Sequence, residues 1–487
     1  MTLDAARTSS NLELWKRGGD TLLLVQPFMD SVVVRGEGAY LIDADGRRIL
    51  DLAAGQFCSI LGHSHQKFIA RLQHQLETLV HLGDQYVSPG VLDAAARLAA
   101  VAPPGLNKVI FLSTGSEAVE CAMQIAKSVT RRTGVLAFTR GYHGSSLATR
   151  NLTSISDVSG KAEFQPAPIN QHQLLTPTCD RCPIQLTYPA CQSACLDVSV
   201  QMLGPRLDNL AAVIVEPVLS AGGMIFPPKG YLQRLFEMTR SLGALFIVDE
   251  AQTGFGRCGH WFDIEHSEIE PDILVVSKTA GNGYPVAAVV TSDSVAARVE
   301  ARGFSHLSSH QNDPLAAAAV HAVIDIVEDE RLVDHSRQMG DYFIGKLKGL
   351  QAKHPLVSTV RGRGLMIALE LSGPSPRVRA GDIALSMALL CESKGLHLTF
   401  SYSEPVIRII PPLIIAAQDI DLAIDIIDDA LGSLENGPPD LAHLAPRNHR
   451  SGPLIRRMNR RFSPKRFLHR MWETSPQEWL RKLTAES

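Results

Sequence analysis

The chain has 487 residues, is 45% hydrophobic and 20% charged, and carries a net charge of -3. That is the balance of an ordinary folded protein with enough apolar material for more than one core. It argues against nucleic acid as a partner, and no run approaches the roughly 18 apolar residues of a membrane span. The N-terminal stretch MTLDAARTSSNLELWKRGGD lacks the basic start and apolar centre of a secretory signal. The expected location is therefore cytoplasmic, with thiols mostly reduced.

In chain order, short apolar runs alternate with helix-like stretches. The runs are Lys108–Leu112, Val135–Phe138, Ala212–Val215, Leu245–Val248, Ile273–Val276 and Ala287–Val290. Each is bounded by polar residues, Gly or Pro, as buried strands of a largely parallel sheet should be. Helical stretches are expected over Glu117 to Thr130 and Tyr231 to Leu242, and a longer one from Pro314 to His354 whose apolar face should pack on a sheet. Alternation of this kind predicts an α/β fold with helices on both faces of the sheet.

Two features stand outside that rhythm. Cys179, Cys182, Cys191 and Cys195 form a C-x2-C then C-x3-C pattern. It suits a tetrahedral zinc, and it equally suits packed or redox-labile thiols in an insertion; no residue is assigned to a metal, and both readings stay open. From Asp440 to the end come eleven Lys and Arg against four Asp and Glu, with Pro438, Pro439, Pro446 and Pro453 among them or just before. This basic tail reads as solvated surface, with a phosphate-rich or acidic partner as the sharper alternative.

The chemistry-bearing residues fall at strand ends. Thr114, Gly115 and Ser116 lie between a strand and a helix, where backbone N–H groups and a helix N-terminus suit a phosphate. The run LFIV ends on Asp249 and Glu250, and the next run is followed by Lys278 in SKTAGNG. In an open α/β sheet these strand ends face one crevice. A phosphate cradle, a carboxylate and one amine are what pyridoxal 5'-phosphate requires: the lysine for the Schiff base, and the aspartate to keep the pyridine nitrogen protonated.

The motifs GQFCSILGHSH, STGSEAVECAMQIAK, YHGSS, EPVLSAGG, VDEAQTGFGR, SKTAGNG, RGRGLM and RIIPPL occur in one order. From about Asp43 to about Leu431 the chain resembles the class-III, fold-type-I pyridoxal-phosphate aminotransferases, and within them the 2,2-dialkylglycine decarboxylase type. The resemblance implies a mostly parallel seven-stranded large-domain sheet and a smaller α+β domain. It implies an N-terminal segment, 1–65, that joins the small domain, then a large domain over 66–320 with the cysteine insertion near 176–196. A small domain over 321–435 and the tail, 436–487, follow. A homodimer acting on amino acids and 2-oxo acids is implied as well.

Residue by residue, the resemblance implies that Lys278 is the Schiff-base lysine and proton carrier, and Asp249 the pyridinium partner. Tyr142 takes the place of the ring stacked on the cofactor, with His143 beside it. Thr114, Gly115 and Ser116 form the phosphate loop, and Ser309, in SSHQNDP, reaches the phosphate in the partner subunit. Gln252 lies against the ring hydroxyl, Glu216 is on the substrate side, and Arg408 grips a substrate carboxylate. Gln56 matches the glutamine that helps hold a carboxylate perpendicular to the ring for loss of CO2. Cys58 for a serine, Tyr142 for a tryptophan and Ala221 for a serine depart from the decarboxylase pattern and imply a different pocket. Arg361 and Arg363 are read as structural. Two other readings remain, an amino-acid racemase on the same scaffold and a non-catalytic binding protein.

Overall fold

The computed structural model describes residues 9–23, 29–153, 170–372, 380–401 and 404–436. After a helix at Asn11–Gly18 come three strands, β1 (Val33–Glu37), β2 (Tyr40–Asp43) and β3 (Arg48–Asp51). The seven central strands are β4 (Lys108–Leu112), β5 (Gly134–Phe138), β6 (Gln171–Leu174), β7 (Leu210–Val215), β8 (Leu245–Asp249), β9 (Ile273–Val276) and β10 (Ala287–Thr291). They form one sheet in the order β4-β10-β9-β8-β7-β5-β6. Only β10 runs against its neighbours, pairing antiparallel with β4 and β9. The sheet is thus mostly parallel, as the apolar runs predict.

Alternation along these strands sets the two cores. Ala212 and Ile214 of β7, Leu245 and Ile247 of β8, and Ile273 and Val275 of β9 face one way and pack with Ala118, Ala122, Ile125 and Val129 of the helix Gly115–Thr130. Val213, Phe246, Val248, Leu274 and Val276 face the other way, into the larger core. Burial on both faces explains why these runs are continuously apolar. The edge strand β6 reads QHQL and escapes the sequence pattern for that reason.

A second four-stranded sheet comprises β11 (Val357–Arg363), β12 (Met366–Leu371), β14 (Thr399–Phe400) and β15 (Val406–Ile409), in the order β11-β12-β15-β14. Between β12 and β14 the chain supplies β13 (Leu396–His397), which pairs in parallel with β3, Leu396 opposite Leu50. The N-terminal strands and the C-terminal part therefore share a sheet. The stretch from Pro314 onward is not one helix but two, Pro314–Asp329 and Leu332–Lys353, divided at Arg331 with φ +52°. Only the second packs on β11 and β12; the first packs against the helices Gln66–Thr78 and Pro89–Val101. The expectation of one apolar face on one sheet is corrected accordingly: a left-handed residue re-aims the chain, and Arg331 gives no Gly or Pro signal for it. Among the described residues no helix is long and apolar enough to cross a membrane.

Candidate active site

The crevice lies where the parallel strands end. β8 ends on Asp249, β9 leads through Ser277 to Lys278, and β4 leads through Ser113 and Thr114 into the helix Gly115–Thr130. These groups line one cavity of about 250 Å³, with Tyr142, His143, Glu216 and Gln252 around it.

Thr114 is the N-cap of its helix: its Oγ1 accepts from the Glu117 N–H at 3.2 Å, while Glu117 Oε2 accepts from the Ser113 N–H at 3.0 Å. This reciprocal cap fixes the first turn, so the free N–H groups of that turn point to the cavity in a set geometry. Ser116 Oγ accepts from the Ser145 N–H at 3.0 Å. Gly144 closes the same corner at φ +132°, and a Cβ there would stand 2.4 Å from Ser116 Oγ. Only glycine fits.

The two strand-end carboxylates part company. Asp249 is 6% exposed; its Oδ2 is 2.9 Å from His143 Nδ1 and its Oδ1 accepts from the Ala251 N–H at 3.2 Å. Glu250, one residue on, points into the scaffold, where its Oε1 accepts from the Ile264 N–H at 2.8 Å and its Oε2 from Thr253. Successive residues of a strand face opposite sides, which is enough to give one carboxylate to the cavity and the other to the core. Burial raises the Glu250 pKa, and the neighbouring Asp263 adds to that.

Lys278 sits at φ +38°, an uncommon conformation for a residue with a side chain, in a single turn that aims it at the cavity. Its Nζ is 5.9 Å from the centre of the Tyr142 ring. Burial lowers its pKa, and Arg408 pushes the same way, while Asp249, Cys58 and Glu216 oppose. Glu216 accepts from the Tyr142 N–H at 2.7 Å and so fixes that residue's backbone. Burial lifts Glu216 to about 7, with Asp249 adding to the rise and His143 and Lys278 opposing it.

Thus the cavity gathers Thr114, Gly115, Ser116, Tyr142, His143, Glu216, Asp249, Gln252 and Lys278. Three candidates do not line it. Arg408, on β15, is buried beside it, its guanidinium carbon 4.9 Å above the Phe57 ring and its Nη2 donating to the Phe400 carbonyl at 3.4 Å. Gln56 is exposed in an irregular turn, and its carbonyl accepts from the Cys58 thiol at 3.3 Å. Ser309 is exposed, just before the helix Pro314–Asp329. Cys58, read from the sequence as a pocket difference, does line the cavity, whereas sequence reasoning missed Ser277, Thr253 and Val286 as cavity walls; adjacency to Lys278 was the available signal for Ser277. Arg361 and Arg363 bond to protein groups, Arg361 to the Gly223 and Met224 carbonyls at 2.7 and 2.9 Å and Arg363 to both Asp263 oxygens at 2.8 and 2.7 Å.

The residues present fit pyridoxal phosphate. His143 Nε2 and Gln252 Oε1 are buried without a partner, as polar groups awaiting a ligand are, and the Gly144 corner leaves the phosphate turn open. The sequence pattern of the family described as Aminotransferase class-III matches residues 25–431. The chain belongs to the class-III aminotransferases. A Schizosaccharomyces pombe aminotransferase is 36% identical over 430 residues, spanning 87% of this chain and 93% of its own length. The acetylornithine aminotransferase of Methanothermobacter thermautotrophicus is 32% identical, with 83% of this chain and 94% of the relative covered. A pyridoxal-phosphate-bound amine transaminase from an uncultivated Pseudomonas species superimposes with a TM-score of 0.77 at 30% identity, over 83% of this chain and 95% of that one. This class-III aminotransferase is therefore a pyridoxal-phosphate enzyme of the fold-type-I architecture.

Proposed function

We propose that the enzyme moves an amino group from an amino acid to a 2-oxo acid, with Lys278 as the group that carries the proton. The observation that supports this is the placement of the Lys278 amine and the Asp249 carboxylate on neighbouring strand ends, both facing the capped turn Thr114–Ser116 across one cavity. When bound there, pyridoxal phosphate supplies a protonated ring that withdraws electrons from a carbanion at the substrate Cα. Ser116 and the first-turn N–H groups hold the phosphate, and Asp249, itself held by His143, holds the ring N–H. Lys278 Nζ, its pKa lowered by burial, takes up the Cα proton at neutral pH more readily than a free lysine. Arg408 stands close enough for its charge to be felt at Lys278, and it receives a substrate carboxylate.

The finer reading adds loss of CO2 from a 2,2-dialkylglycine, and Gln56 carries it. Its turn leads directly into Phe57 and Cys58, which touch Arg408 and the cavity, and that adjacency to the expected carboxylate site supports the reading. A homodimer in which Ser309 completes the partner's phosphate site belongs to the same reading, since Ser309 is exposed and outside its own chain's cavity. The test is a panel of amino acids, α,α-dialkyl ones included, assayed with pyruvate and other 2-oxo acids while CO2 is followed. Amino transfer without CO2 from any dialkyl substrate removes the decarboxylase reading alone. Racemisation without amino transfer removes both.

A further inference from the structure

The four insertion cysteines take no part in the active-site cavity. Cys179 opens and Cys182 follows a single turn, Cys179–Arg181, and the Cys182 carbonyl accepts from the Gln185 N–H at 3.0 Å. Cys191 and Cys195 flank a second turn, in which Gln192 and Ser193 stand at φ +46° and +64° before the helix Ala194–Leu203. Two successive side-chain-bearing residues in the left-handed region cost free energy that something must hold in place. All four cysteines are free thiols, and all four line one hollow walled by Tyr231 and Pro228.

Among the described residues, His81, His310 and Asp313 bring three ligand atoms within 4.8 Å of one another, and the four thiols are spread more widely than that. A closed tetrahedral cage with Zn–S near 2.3 Å needs sulfurs about 3.8 Å apart. Closing it requires the two turns to approach each other, and the first carries the exposed Cys179.

We propose that Cys179, Cys182, Cys191 and Cys195 bind one structural zinc ion as four thiolates. The four thiol protons pass to solvent, no electron is exchanged, and no ligand position stays open, so the site is not catalytic. Two arginines tie the two turns to the rest of the chain. Arg234 Nη1 donates to the Gln192 carbonyl at 2.8 Å, inside the second turn. Arg181, inside the first, pairs with Glu370 at 2.9 Å and Glu404 at 2.6 Å, and Glu404 also pairs with Arg140, two residues before Tyr142. The ion thereby fixes the turn through which the insertion grips β12 and the loop before β15.

The test uses the full chain, produced with zinc supplied, purified without chelator and analysed for metals alongside cofactor content. About one zinc per chain is expected, lost in Cys182→Ser and in Cys191→Ser and kept in Cys182→His, because imidazole replaces thiolate as a zinc ligand. Should the serine variants fail to fold, a mercurial thiol titration of the wild-type chain reads the same point: zinc is released in step with modification of the insertion thiols, identified by peptide mapping. Wild-type protein without zinc, zinc retained in both serine variants, or iron with inorganic sulfide in its place overturns the proposal.

Discussion

The cofactor cavity and the cysteine insertion are built in opposite ways. Asp249 and Lys278 are delivered by β8 and by the turn after β9, whose residues are fully buried on both faces, so the side chains are aimed before any ligand arrives. The insertion cysteines sit on single turns, one carrying two left-handed residues. A site on buried strand ends is preorganised by the core that holds the strands, whereas a site on turns needs a cross-link of its own.

The sharpest break in that comparison is expected at Lys278. Lys278→Ala should lower kcat by about 10²–10⁴-fold or more, as removal of a general base does, while the melting temperature stays close to wild type. Single-turnover kinetics and a thermal melt check the two halves. Next in size, Asp249 and Glu250 should separate. Asp249→Asn should cripple turnover in a well-folded protein. Glu250→Ala should destabilise by about 1–3 kcal/mol, since the Ile264 N–H and the Thr253 hydroxyl lose their acceptor, yet leave the folded fraction active. In the insertion the pattern should invert, with Cys182→Ser lowering the melting temperature and leaving kcat near wild type.

A smaller effect is tied to pH. The Glu216 carboxyl is raised from 4.5 to about 7, so the folded state binds its proton more tightly than the unfolded chain. Its contribution to stability is fully present below pH 4.5 and is lost as pH rises through about 7. Glu216→Gln should therefore gain stability over wild type progressively between those values; thermal melts of the cofactor-free pair across that range check it, and a gap independent of pH would contradict it. The smallest effect is expected at the tail. Truncation after residue 436 should leave activity and cofactor content unchanged, because the family match ends at residue 431.

How much was legible follows the same division. β8 and β9 could be read from LFIV and ILVV because burial on both faces keeps those four-residue runs wholly apolar, with Asp249 only at the end of β8. β6 could not, since an edge strand tolerates Gln and His. Thr114 and Ser116 were legible as a turn opening a helix, though not that Thr114 spends its oxygen on the cap. Nothing in the dipeptide Asp-Glu says which carboxylate faces the cavity; the pleat decides it. The break at Arg331 and the exposed positions of Gln56 and Ser309 depend on local backbone turns that carry no compositional mark. The basic tail, 437–487, lies outside the described residues.

The central claim is that pyridoxal phosphate is held covalently by Lys278 in the cavity beside Asp249. Borohydride reduction of the purified enzyme, followed by digestion and mass spectrometry, tests it most directly. The account predicts loss of the visible absorbance and a reduced pyridoxyl group on the peptide that contains Lys278. A label on another lysine, or none on a protein that still transfers amino groups, would contradict it.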